Sequence, residues 1–376
     1  MVVLLIFCAV GLFFLPCEHD QLCKADKIVP TPKYGEAAML IGIAGFENTW
    51  LDYALSHHML SRCFMRSDAG FYRKHEREGK SMDLQDFEEL IDEYELGSIK
   101  AILKKIAKES ISLEKAGKET YAHTGNSRVS GEPDLPPGVS WPQAKDGLPM
   151  TFLAQLNLKD VPADRKHLPL PQEGVLYFFI ADFDSAINIE HRVIYVEDTQ
   201  KLVRTPAPGI TSLEKGQDFN PNAPYTLALD AGFSVSVIYA DEIYESADET
   251  GFDIDEDIDL FSDFVCDLSS SNSLGNMFGY PREQHADSEI VAALMLLTGK
   301  EYNYKADEGV QQIANEIGSM EKAQEEVADI VTLLELDSDN EAGFCWGDAG
   351  YIHFFMRKED VLNKNFDKTY LSLYSS

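Results

Sequence analysis

The most constraining feature of this chain is a pair of strand patterns that occurs twice. TFLAQLNL at residues 151–158 is followed by GVLYFFI at 174–180, and TLLELDSD at 332–339 is followed by GYIHFFM at 350–356. In each copy, a strand with polar residues at alternate positions precedes a glycine and a strand with two adjacent phenylalanines. The repetition predicts two related halves of one domain, arranged about an approximate twofold axis.

Alternation along each first strand predicts which side chains share a face. Successive side chains of a strand point to opposite faces, so Gln155 and Asn157 are predicted to lie opposite an apolar set. That set is Phe152, Ala154, Leu156 and Leu158. In the second copy Glu335, Asp337 and Asp339 share the polar face. The second strands are apolar at nearly every position, which is typical of strands covered on both faces.

Two amphipathic helices are predicted before these strands. Apolar residues recur at helical spacing behind Asp83, a candidate N-cap, and Gly97 is predicted to end the first helix. Ser98 is predicted to cap the second helix, whose lysines lie mostly on the solvent face. Residues 82–118 are therefore interpreted as a helical hairpin.

Residues 1–81 are interpreted as an N-terminal extension. Its segment 2–15 is apolar but shorter than the roughly 20 residues that span a bilayer, and it has about the length of a signal-peptide core. No positive charge precedes it, since the first is Lys24. Two interpretations stay open. Either the segment exports or anchors the protein, or a cytoplasmic domain begins near Met82, in which case we expect residues 82–376 to fold alone.

The charge of the chain restricts its partners. A formal net charge of -32 repels phosphate backbones, so no nucleic-acid partner is predicted, whereas a basic protein or a small neutral molecule is compatible. Residues 241–267 alone hold twelve carboxylates. This segment is predicted to be a solvated, partly flexible surface loop, with a docking face for a basic partner as the alternative.

Common catalytic and metal-binding patterns are missing from the sequence. It contains no GxSxG, GxxxxGK[ST], HExxH or GxGxxG motif. Asp253, Asp255 and Asp257 have the spacing of an EF-hand loop, but Ile258 occupies the position that requires glycine. We therefore predict no catalytic residue, no metal and no cofactor.

Candidate ligand-binding residues come from the polar and aromatic positions of the repeat and its loops. They are Trp141, Gln155, Asn157, Tyr177, Gln284, Glu335, Asp337, Trp346 and His353. The hypothesis places them along a groove shared by the two halves. The alternative is structural: the polar side chains bind loop backbone groups inside the fold, the tryptophans anchor loops, and the histidine is a hydrogen-bonded core residue.

Several motifs carry a resemblance to a known family. GEPDLPPGVSWP, FLAQLNL, GVLYFF, GNMFGYPREQ, LLELDSD and WGDAGYIHFF together resemble the YwqG-like family, a bacterial domain of unknown function, from about Leu84 to Leu373. The resemblance implies an α+β fold with N-terminal helices and supplies no catalytic residues. Two departures are Glu335, where glutamine is expected, and a long acidic insertion near residues 245–260.

We therefore predict an α+β fold in which the helical hairpin precedes a mostly antiparallel, internally duplicated, pseudo-twofold β-rich domain with additional helices, residues 119–376. A non-catalytic binding or interaction domain is the preferred function. One alternative is an acidic immunity-type protein that neutralises a basic toxin. Another is an enzyme with Glu335 or Asp337 as general base and His353 as acid.

Overall fold

The structure is a computed structural model that describes residues 81–215, 224–283, 285–301 and 306–375. The chain divides into units Met1–Glu47 and Asn48–Ser376, and every described residue belongs to the second unit. The apolar segment 2–15 lies outside the described residues. Within the ranges given above, no helix is long and apolar enough to cross a membrane.

The described part of the chain contains nine α-helices and twelve strands. The helices are α1 Leu84–Glu93, α2 Lys100–Ile106, α3 Asp241–Glu245, α4 Ala247–Thr250, α5 Ile254–Asp267, α6 Ser288–Thr298, α7 Ala306–Ile317, α8 Met320–Ala328 and α9 Lys358–Leu362. The strands are β1 Lys108–Lys118, β2 Arg128–Val129, β3 Asp134–Leu135, β4 Thr151–Asn157, β5 Val175–Ile180, β6 His191–Val196, β7 Val203–Arg204, β8 Tyr225–Ser234, β9 Ser273–Met277, β10 Ile330–Asp337, β11 Tyr351–Arg357 and β12 Thr369–Tyr374.

Ten strands form one nearly closed sheet. Their order is β12-β11-β10-β9-β1-β8-β2-β4-β5-β6, with antiparallel neighbours, while β3 and β7 pair separately. The two edges approach each other because the segment before β6 binds β12. Ile189 N donates to Leu371 O at 3.0 Å, and Leu373 N donates to Ala186 O at 2.7 Å. The mixed, mostly antiparallel architecture agrees with the predicted α+β class.

The N-terminal helices only partly follow the sequence pattern. Asp83 caps α1 as predicted, and it exchanges hydrogen bonds with Asp86 in a capping box. However, α1 ends before Gly97, and Ser98 makes no capping hydrogen bond because it lies within a single 3-10 turn.

Residues 108–118 were predicted to belong to the helical hairpin, and they instead form β1. Ile111 and Leu113 are buried and alternate with Ser110 and Ser112, a period of two that suits a strand. β1 pairs with both β8 and β9 near the middle of the sheet. The hairpin prediction is therefore wrong for this segment.

The interior of the sheet is filled from both repeated strand pairs. Phe178 of β5 and Phe354 of β11 meet edge to face, with ring centroids 5.1 Å apart. Their neighbours Phe179 and Phe355 point to the outer face. Loops cover Phe179, and helices α6 to α8 cover Phe355. Both strands are thus covered on two faces, as their composition predicted.

Irregularities in the first strands change two predicted orientations. A β-bulge between Phe152 and Ala154 turns Phe152 to the outer face, away from Ala154 and Leu156 in the interior. β10 ends at Asp337, so Asp339 leaves the strand face and pairs with Lys115, with its Oδ2 2.7 Å from the lysine Nζ. The predictions for Phe152 and Asp339 are therefore wrong.

The acidic segment 241–267 is helical, and the prediction of a flexible loop is wrong. It contains α3, α4 and α5. Phe261 and Phe264 of α5 lie one helical turn apart and are buried, and the Phe264 ring lies 5.9 Å from Phe87 of α1. Burial of this apolar face stabilises the helix despite its carboxylates.

Candidate functional site

A first polar cluster lies on the outer face of β2 and β4, centred on Arg128, Asp134 and Gln155. The side-chain oxygen of Gln155 accepts from Asp134 N at 2.7 Å, and its nitrogen donates to Asn126 O at 2.7 Å. Arg128 forms an ion pair with Asp134 and donates to the Asn126 side chain at 2.8 Å. None of the three central residues is exposed to solvent, so the cluster is closed.

Other predicted site residues of this half also bind backbone groups. Tyr177, Asn157 and Trp141 donate to backbone carbonyls at 2.5, 2.7 and 2.8 Å respectively. The Trp141 ring meets Phe179 edge to face at 5.3 Å. The proline- and glycine-rich loop at residues 130–142 therefore lies against the sheet as an ordered cover.

A second polar cluster lies on the outer face of β9, β10 and β11. It consists of Asn276, Arg282, Glu335, Asp337 and His353. One Glu335 oxygen accepts from Arg282 Nε at 2.7 Å and from Asn276 Nδ2 at 3.0 Å. The other accepts from Arg282 N at 2.8 Å and lies 2.9 Å from His353 Nε2. Arg282 Nη2 also donates to Asp337, and its guanidinium lies 4.2 Å from the Tyr351 ring centroid.

The two clusters are built on the same backbone contact. In each, the N–H of a residue outside the ten-stranded sheet donates to a polar side chain of that sheet: Asp134 to Gln155 at 2.7 Å, and Arg282 to Glu335 at 2.8 Å. The donor residue is acidic in the first cluster and basic in the second.

The loops that carry these residues also begin alike. Ser130 and Phe278 both have left-handed backbone angles, with φ of 57° and 64°. GEPD at 131–134 follows the first and GYPR at 279–282 follows the second. This repeated G-x-P pattern is the sequence signal for Asp134 and Arg282, two residues that are not among the predicted ligand-binding residues.

The clusters differ in their access to solvent. Arg128 is fully buried, and its Nη1 donates to Glu132 O at 2.7 Å. The side chain of Arg282 is 37% exposed. Arg282 binds Glu335 and Asp337 through its backbone N–H, Nε and Nη2, and its guanidinium also interacts with Tyr351. The arginine of the second cluster is thus partly open to solvent, whereas that of the first is enclosed.

Burial and charge set different pKa values for the two carboxyls of this cluster. Burial opposes ionisation of Glu335, but the Arg282 guanidinium and the His353 hydrogen bond outweigh it and hold its pKa at about 2. Burial raises the pKa of Asp337 to about 6, against the attraction of Arg282 and with the added repulsion of Glu335. Glu335 is therefore ionised at neutral pH, and Asp337 accepts a proton on mild acidification.

These motifs fall within a region that a family model recognises. The model describes a domain of unknown function, DUF1963, and matches residues 127–374 of the 376-residue chain. The chain belongs to the DUF1963 family. This is the YwqG family, so the resemblance is confirmed, although the matched range begins downstream of Leu84. No curated protein matches the chain.

The DUF1963 domain does not form the predicted groove between Gln155 and Glu335. Four strands separate β4 from β10 in the sheet order, and both side chains are completely buried on the outer face. Each binds a different segment of the chain, so the prediction of a groove lined by both is wrong. Gln155 thus follows the structural alternative.

The structure does bring several predicted residues together. Glu335, Asp337 and His353 share the second cluster, and Trp346 Nε1 donates to Asp337 O at 3.2 Å. Gln284 lies outside the described residues. In the described part of the domain, no three His, Cys, Asp or Glu residues are grouped so that they could hold a metal ion.

Gln155→Ala is expected to lower the free energy of unfolding by about 1–3 kcal/mol, because it leaves two buried backbone groups without their partner. Those groups are Asp134 N and Asn126 O. Urea unfolding provides the measurement, and Gln200→Ala in a surface turn is the control. Equal midpoints for the two variants would show that the buried hydrogen bonds of Gln155 contribute nothing.

A buried carboxyl pair near Arg282 has one member in the loop before α6 and the other in the first turn of α6. Glu283 and Glu289 both contact the Tyr239 hydroxyl, which has a single proton to donate. Ser288 Oγ also donates to Glu283 at 2.6 Å. Burial raises the pKa of Glu283 to about 7. The repulsion of Glu289 raises this pKa further, whereas the hydrogen bonds from Ser288 and Tyr239 lower it. Glu283 therefore keeps its proton well above its usual pKa.

This pKa predicts a loss of stability as the pH rises. The folded state binds the Glu283 proton more tightly than the unfolded state, so its contribution is complete below pH 4.5 and is lost by about pH 7. The difference in unfolding free energy between Glu283→Gln and wild type should therefore shift by about 1–3 kcal/mol in favour of the variant when the pH is raised from 5 to 8. Urea unfolding at both pH values measures this, with Glu256→Gln as an exposed control. A constant difference between Glu283→Gln and wild type would contradict the assignment.

Proposed function

We propose that this DUF1963 domain is a non-catalytic binding domain whose binding surface is the open side of the second polar cluster. We name this surface the Arg282 face and define it by Arg282, Asp337 and Tyr351. The observation that carries the proposal is the contrast in exposure between the arginines of the two clusters. Arg282 is 37% exposed, whereas Arg128 is completely enclosed.

The Arg282 face is held in place before a partner arrives. Glu335 fixes Arg282 from below through both its backbone N–H and its Nε, and the Tyr351 ring supports the guanidinium plane. Because the long side chain is already ordered, binding to it loses little conformational entropy. This pre-organisation favours recognition.

Burial makes the enzymatic alternative less suitable. Glu335 is 0% exposed and His353 is also buried, and the two contact each other beneath Arg282. A general base or acid must reach the proton that it transfers, directly or through one water. We therefore assign this pair to the support of Arg282.

Comparative capture tests the proposed function. Native lysate is passed over immobilised wild type, Asp337→Asn and Asp248→Asn, and retained proteins and small molecules are identified by mass spectrometry. Asparagine at 337 keeps an acceptor for Arg282 but loses the outward carboxylate, while Asp248 is an exposed carboxylate on α4. We expect a species that wild type and Asp248→Asn retain and Asp337→Asn loses. Identical retention by all three would contradict the proposal.

An acidic docking face is the second candidate, as an immunity-type protein would require. It is favoured by five exposed carboxylates on or next to α3 to α5: Asp241, Glu245, Asp248, Glu249 and Glu256. Neutralising all five to amides should change the unfolding free energy by no more than about 0.5 kcal/mol and slow association with poly-lysine at low salt. Unchanged association would leave these residues as an ordinary solvated surface.

A further inference from the structure

The first polar cluster shows how an arginine and a carboxylate of this fold bind a polypeptide backbone. Arg128 Nη1 donates to the carbonyl of Glu132 at 2.7 Å. The carboxylate paired with it, Asp134, accepts from the N–H of Gly125 at 2.7 Å. One donor and one acceptor thus bind a carbonyl and an N–H of the chain itself, which come from the two segments that flank β2.

The second polar cluster offers the same pair of side-chain types nearer to solvent. Arg282 Nη2 is bonded to Asp337, and both side chains are partly exposed. A carbonyl and an N–H of a polypeptide would bind this pair as they bind Arg128 and Asp134 in the first cluster.

We propose that the Arg282 face binds an extended segment of a partner polypeptide through its backbone, with the Arg282 guanidinium donating to a carbonyl and the Asp337 carboxylate accepting from an N–H. This inference rests on the proposed function and adds the ligand class. Charge adds a preference, because two carboxylates, Glu335 and Asp337, face one guanidinium here. Segments with lysine or arginine beside the bound peptide groups are therefore favoured.

The test begins with peptides of known sequence. Random seven-residue peptides displayed on phage are selected against the full chain, and the most enriched sequence is synthesised with blocked ends. Singly N-methylated versions of this peptide each lack one backbone N–H. Affinities are measured by calorimetry for wild type, Asp337→Asn and the control Asp248→Asn.

The inference predicts a coupling between one peptide bond and one side chain. N-methylation at a single position should weaken binding to wild type and Asp248→Asn at least tenfold. The same methylation should have no further effect on Asp337→Asn, which already lacks the charged acceptor. Arg282→Lys, which keeps the charge but loses the forked donor, should also weaken binding about tenfold.

Each alternative outcome has a distinct meaning. Binding that Asp337→Asn retains, or that no N-methylation weakens, overturns the backbone-binding inference. Failure to enrich any peptide also overturns it. In either case the proposed function is still supported if the lysate comparison shows a species that Asp337→Asn loses. If that comparison shows no such species, both the inference and the proposed function are wrong.

Discussion

Arg282→Ala is expected to lower the free energy of unfolding by about 3 kcal/mol, because it removes the guanidinium that neutralises the buried Glu335 carboxylate. Glu335 is 0% exposed, and its remaining contacts are the Asn276 amide, the His353 ring and the backbone N–H at residue 282. The value lies at the low end of the range for a broken buried pair, since truncation of Arg282 opens a path for water. Urea unfolding at pH 7 measures the effect.

Two further variants distinguish this cause from a general loss of contacts. Arg192→Ala removes an exposed arginine from β6 and should change the unfolding free energy by no more than about 0.5 kcal/mol. Glu335→Gln combined with Arg282→Ala removes the unpaired charge, so the double variant should be more stable than Arg282→Ala alone. A double variant that is less stable than Arg282→Ala would contradict the charge argument.

Phe354→Ala is expected to lower the free energy of unfolding by about 3–5 kcal/mol, because it leaves a cavity in the interior of the sheet. The side chain is 0% exposed and meets Phe178 at 5.1 Å. Leu362→Ala, at a residue that is 64% exposed on α9, is the matched control and should have a small effect. Similar losses for the two variants would show that the interior is not close-packed at Phe354.

The same site tests whether β5 and β11 stabilise each other. Phe178 and Phe354 occupy corresponding positions of the repeated strands and contact each other directly. A double-mutant cycle with alanine at both positions should give a coupling of about 0.5–1.5 kcal/mol. Strictly additive losses would indicate that the two rings contribute independently.

The sequence could predict the features that depend on local pattern. The burial of β5 and β11 followed from their apolar composition, and the start of α1 followed from Asp83 and the helical spacing behind it. Both depend on residues close in the chain, where periodicity and capping chemistry act directly.

Features that depend on distant contacts could not be predicted in this way. Alternation places Glu335 on the polar face of β10 but cannot show that residue 282 folds back to cover it. The bulge that reorients Phe152 cannot be recognised from the alternation of polar and apolar residues. The many carboxylates of α5 also make its apolar face, which packs against α1, hard to recognise in the sequence. The expected groove failed because chain order does not reveal that four strands separate β4 from β10.

The first polar cluster is closed by its own backbone, whereas the second leaves Arg282 partly exposed. Side-chain hydrogen exchange of the arginine N–H groups, followed by NMR on the free protein labelled with ¹⁵N-arginine, measures this difference. We expect slow exchange at the Nη1 hydrogens of Arg128 and fast exchange at those of Arg282. Equal protection of the two arginines in the free protein would contradict it.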